Sequence, residues 1–76
     1  MSLEKKPERA LEIFTVYFNP LDYPGLYVVR VFWNATPTVY GWTAPTLEEV
    51  RARLPRGLVC LPREPGDEPQ IVECWL

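Results

Sequence analysis

Few side chains in this sequence could do chemistry. The chain has two cysteines, Cys60 and Cys74, and no histidine. Without histidine there is no Ser–His or Cys–His dyad, no imidazole base and no imidazole metal ligand. The cysteines are not a Cys-x-x-Cys pair, and no lysine or histidine lies near them in sequence to lower a thiol pKa. A redox pair or a cross-strand disulfide is the chemical reading. Small apolar groups buried in the fold are the reading the spacing favours. Two thiols fall short of the four ligands of a structural zinc. Glu48-Glu49 and Asp67-Glu68 are adjacent carboxylates, which acid/base catalysis can use. The first pair reads as part of a helix start and the second as part of a Pro-Gly-Asp turn. Neither shows the apolar surroundings that would raise a carboxyl pKa towards neutrality, so no catalytic residue is assigned. Asn34-Ala35-Thr36 fits the glycosylation acceptor, a pattern too short to weigh without a secretory leader. There is no Gly-rich phosphate loop and no Gly-x-Ser-x-Gly elbow. No metal and no cofactor are expected.

Charged residues at unusual places carry more information. Arg30 and Glu73 both stand among apolar neighbours in strand-like runs. They read as groups that face solvent or pair across strands, or else as polar anchors in a binding face. Asp22, Arg56, Arg63 and Asp67, with Arg30, could also converge from the 19–25 and 62–70 loops on a small ligand or substrate.

The elements that must position these groups follow from periodicity. Residues 1–10 (MSLEKKPERA) read as a flexible tail, and 11–76 as one domain. Residues 12–18 (EIFTVYF) are β-branched and aromatic, so they predict a strand that Asn19-Pro20 ends. Pro24-Gly25 suits the centre of a type II turn. Residues 26–34 (LYVVRVFWN) predict a second strand, with Tyr27, Val29, Val31 and Trp33 on one face and Val28, Arg30 and Phe32 on the other. A turn at 35–38 leads to a short third strand at 39–43, weakened by Gly41. Thr46-Leu-Glu-Glu49 is a capping box, and Leu47, Val50 and Leu54 make one helical stripe that Pro55 ends. Residues 58–61 and 71–76 predict strands four and five around a proline-rich loop. The fold class is α+β: a five-stranded, mainly antiparallel sheet in the order β-β-β-α-β-β, with one short helix on one face.

Composition sets the outer bounds. With 76 residues and a formal charge of −2, the chain is one small acidic domain. It lacks the basic tract that nonspecific binding to nucleic acid or an anionic membrane requires. No apolar run approaches the roughly 20 residues of a membrane span. The mixed-charge N-terminus does not read as a signal peptide, so a cytoplasmic location is expected. A domain of this size buries only about 60% of its unfolded surface and often gains from pairing with a copy of itself.

Several segments are similar to a pattern that recurs in a family of small uncharacterised bacterial proteins. They are Asn19-Pro20-Leu21-Asp22-Tyr23-Pro24, then Tyr27-Val28-Val29-Arg30, Thr46 to Arg51, Leu54-Pro55-Arg56-Gly57-Leu58, and Pro65 to Glu73 with Trp75. The resemblance spans about residues 12–76 and implies a compact bacterial domain. It transfers no catalytic residue.

The functional expectation rests on a mismatch of areas. A two-turn helix is about 12 Å long and covers only part of one sheet face. The first two strands are apolar on both faces, whereas a one-sided antiparallel sheet alternates. Some aromatic residues should therefore stay exposed unless a partner covers them. The candidate interface is Tyr17, Tyr27, Arg30, Trp33, Trp42 and Trp75, in a non-catalytic module that binds a protein partner or a second copy as a homodimer. The alternatives are a ligand or enzyme site in the two loops, and single-stranded nucleic-acid binding on an aromatic face.

Overall fold

Alternating apolar runs build the sheet. The computed structural model describes residues 4–76. The strands are β1 (Glu12–Phe18), β2 (Tyr27–Trp33), β3 (Thr36–Ala44), β4 (Cys60–Pro62) and β5 (Ile71–Trp75), with α1 (Leu47–Arg51) between β3 and β4. They form one sheet in the order β3-β2-β1-β5-β4, with every neighbouring pair antiparallel. The α+β expectation holds at that level: five antiparallel strands, one short helix, and the order β-β-β-α-β-β. β1 is the central strand, although only β2 adjoins it closely in sequence.

The turns explain where the strands end. Asn19 and Asn34 both adopt positive φ, 57° each, a conformation that asparagine tolerates better than most side chains. Asn34 leads a two-residue loop that places Thr36 opposite Trp33. β3 therefore starts at Thr36, where the sequence suggests a turn through 38. Gly25 takes φ 78° after Pro24, and the Leu26 amide donates to the Tyr23 carbonyl, which closes the expected turn. β4 lies at 60–62 rather than 58–61, with Pro62 on the sheet's outer strand, where a missing N–H breaks no ladder.

The helix is shorter than its apolar stripe. The Thr46 hydroxyl accepts from the Glu49 amide and donates to the Glu49 carboxylate, so the cap forms as read. After Arg51 the chain continues as a turn, with the Leu54 amide donating to the Arg51 carbonyl. Leu47, Val50 and Leu54 still point inward together. The core is Phe14, Val16, Val29 and Val31 of the sheet against Val50, and Val16, Val29 and Val50 are fully buried. Gly41 is required here. A Cβ at this position would stand 2.4 Å from the Val29 carbonyl oxygen, so β3 can lie this close to β2 only without a side chain.

Of the tail at 1–10, residues 1–3 lie outside the described residues. Glu4 is anchored on β3: its carboxylate accepts from the Val39 amide and its carbonyl from the Tyr40 hydroxyl. Ala10 is buried.

Candidate functional site

Strand register assigns every side chain to one of two faces. The helix packs on β2 and β3, over the face that carries Phe14, Val16, Val29 and Val31. Among the described residues no helix or strand covers the other face. Three rows cross it. Pro37, Phe32 and Ile13 make the first row on β3, β2 and β1. Leu76 and Val59 continue it past β5 and β4, where each donates its amide to the other's carbonyl. Gly41, Arg30, Thr15, Cys74 and Leu61 make the second row. Thr43, Val28, Tyr17 and Ile71 make the third. Leu11 stands beside the first row, held by the bond from the Asn34 amide to its carbonyl.

The first row is apolar across the sheet, half-buried at Phe32 and Ile13 and exposed at Pro37, Leu76 and Val59, with Leu11 and Leu61 exposed beside it. Val59 is 61% exposed, Leu11 51%, Leu61 43% and Leu76 37%. Four of the eight large apolar side chains counted as exposed thus lie together on this one face. Monomeric domains seldom show such a contiguous patch without a use for it.

The third-row end is partly shielded. The 19–25 loop folds towards it and sets the Asp22 carboxylate 2.6 Å from the Arg30 guanidinium. That hydrogen bond holds the Asp22 carboxyl below its usual range. Arg30 also lies over the Tyr17 ring, 5.5 Å from its centroid. Burial pushes the Tyr17 hydroxyl up, with the Glu68 charge second. A groove of about 270 Å³ between Tyr17, Pro20, Leu21, Arg30, Glu68 and Gln70 marks where the 19–25 and 62–70 loops meet. Its cation is already paired, and its volume lies below the usual range for small-molecule sites.

The six candidate interface residues do not form one surface. Tyr17 and Arg30 lie on the open face, while Tyr27, Trp33, Trp42 and Trp75 pack around the core on the helix side. The physical reason is the size of the helix. Five residues cannot roof a five-stranded face, so indole rings complete the layer. Each indole N–H is satisfied there. Trp42 donates to the Val50 carbonyl at 2.9 Å, Trp33 to Glu12 at 2.9 Å, and Trp75 to Glu73. The open face is aliphatic instead, with Phe32 and Tyr17 as its two aromatic residues. The signal that marks it is the odd-numbered series Leu11, Ile13 and Tyr17, with Val59 and Leu61.

Glu73 belongs to the covered side. It is 5% exposed, takes a two-pronged contact from the half-exposed Arg51, and accepts the Trp75 indole proton. The Arg51 hydrogen bonds hold its carboxyl below the ordinary glutamate range despite burial. With both oxygens engaged, it ties α1 to β5.

The loop residues do not converge. Asp22 reaches Arg30, whereas Arg63 and Asp67 contact each other within their own loop. Arg56 is exposed beyond α1 and makes no ion pair among the described residues. Cys60 and Cys74 are on adjacent strands but one register step apart, since Leu61 faces Cys74, and both are free thiols. Desolvation first, and the Glu73 charge second, push the Cys60 thiol up, away from a reactive thiolate. Among the described residues no group of acids and cysteines could hold a metal, and no helix is long and apolar enough to cross a membrane. For single-stranded nucleic acid the open face offers two aromatic rings and one cation, and an aspartate engages that cation.

Searches with family models, among curated proteins and among solved structures returned no match.

Proposed function

We propose that this chain is a non-catalytic protein-docking module whose working surface is the open sheet face. One observation carries the reading: the apolar row Pro37, Phe32, Ile13, Leu76 and Val59, with Leu11 and Leu61 beside it, has no helix or strand over it among the described residues. Burying such a surface is worth about 25 cal/mol per Å², so leaving it in water favours any complementary surface that arrives. The polar groups fit the role. Arg30, in the second row, is already paired with Asp22, so the apolar first row carries no charge and the ion pair lies beside it.

The test is binding of an environment-sensitive apolar dye, anilinonaphthalene sulfonate, to dilute folded protein. Enhanced fluorescence is expected, and Val59→Lys with Leu61→Lys should remove most of it. Both positions are exposed, so the unfolding midpoint should move by no more than about 0.5 kcal/mol. A folded wild type that gives no enhancement, or a double variant that loses several kcal/mol, would show the face to be roofed and end the reading.

A further inference from the structure

The outer rim of β3 is a second place where the fold leaves polar groups unspent. Along β2, alternate residues turn their N–H and C=O groups towards β3. Trp33 does so, because it faces Thr36 across a two-residue loop, and the Val31 carbonyl accepts the Thr38 hydroxyl. Val29 and Tyr27 continue that series, so their partners Trp42 and Ala44 spend their backbone groups on β2. Gly41 and Thr43, opposite Arg30 and Val28, therefore turn theirs outward. The outward direction is seen directly one step earlier, where the Val39 amide donates to the Glu4 carboxylate. Among the described residues no strand but β2 pairs with β3, and no backbone partner bonds the outward groups of Gly41 and Thr43.

We infer that this rim, from Gly41 to Thr43, is a strand-addition site for an extended peptide that sets an aromatic side chain opposite Gly41. Backbone groups at strand spacing are matched by another extended chain, and pockets beside the rim choose its side chains. Outer strands are usually guarded by charge or proline, and residues 41–44 carry neither. The window is short. Glu4 closes it at Val39, and Pro45, which has no N–H, closes it after Ala44. It admits one short strand and opposes a run of them.

A groove of about 210 Å³ selects the side chain. It runs beside β3 over Gly41, with Val39, Thr43, Tyr23 and Arg30 in its walls. Gly41 leaves a notch at its centre, and an aromatic ring from a neighbouring strand is the usual cover for an outer-strand glycine. The Arg30 guanidinium favours such a ring. A second copy of this chain pairing rim to rim would bring Gly41 or Thr43 to the notch, and neither fills it. Four outward main-chain groups and one filled notch give weak binding, with a dissociation constant of about 0.1 to 1 mM.

The probe is a capped peptide, Lys-Thr-Val-Phe-Val-Thr-Lys, titrated into the ¹⁵N-labelled full chain and followed by amide chemical shifts. The largest shifts are expected at Gly41 and Thr43. In the paired strand the Phe amide faces β3 and the two Val amides face away. N-methylation at Phe should therefore abolish binding, and N-methylation at both Val should leave it intact. Replacing Phe by Ala should weaken it about tenfold. Glu4→Ala, at an exposed position, returns the Val39 amide to the rim and should tighten binding about fivefold.

No shift at about 1 mM peptide overturns the inference. So do shifts centred on Val59 and Leu61, equal binding by the alanine peptide, or indifference to Phe methylation or to Glu4→Ala. Shifts at Gly41 and Thr43 that grow with protein concentration alone place a second copy on the rim and overturn the peptide. The site does not rest on the open-face docking role, and the dye experiment on that face is independent of every one of these outcomes.

Discussion

Glu73 shows how neighbours set the titration of a single buried carboxylate. Its burial alone would raise the pKa, but the Arg51 hydrogen bonds lower it, with help from the Trp75 indole. A carboxyl held below its unfolded value adds stability above that value, about 4.3, and the contribution disappears as pH falls through the folded pKa. Glu73→Gln should cost about 1–2 kcal/mol at neutral pH, because Arg51 is half exposed and its released end returns to water. The variant's urea midpoint should then vary less than the wild type's below about pH 4.3, a comparison that equilibrium unfolding at several pH values provides. The sequence shows Arg30 and Glu73 to be out of place in their strands. It does not show that Arg30 would pair with Asp22 across a turn, or that Glu73 would find Arg51 on the helix, because both partners are set by tertiary folding.

At the level of elements, local chemistry was the legible part. The Thr46–Glu49 cap, the Pro24-Gly25 turn and the bounds of β1 follow from residues adjacent in the chain. β3 was harder to read. Between Arg30 and Phe32 its register slips, so β3 spends extra residues where β2 spends one. Such a bulge leaves no reliable trace in an alternation pattern. Gly41 reads in the sequence as a weak point of the strand, yet its missing side chain is what admits the Val29 carbonyl. Gly41→Ala should therefore destabilise by about 2 kcal/mol or more, since a backbone oxygen at 2.4 Å cannot swing aside as a flexible side chain would. Thermal unfolding monitored by circular dichroism measures this, and an unchanged midpoint would contradict the close approach.

For the whole molecule, strand order decides which residues share a face, and order is what a single sequence leaves open. The insertion of β5 beside β1 brings Leu76 and Val59 into the row begun by Phe32 and Ile13. The area mismatch was legible: two apolar sides and one small helix. Its resolution was not, because four of the aromatic candidates complete the helix side and leave the aliphatic side bare.

Glu4 and Pro62 together bear on how the edges of the sheet meet other chains. Bare strand rims are where sheets add further chains and run on into fibres. Here Glu4 occupies the Val39 amide on one outer strand, and the three-residue β4 offers a proline on the other. Growth in the plane of the sheet is therefore opposed at these two points, which leaves the apolar face, perpendicular to it, as the more open direction for contact.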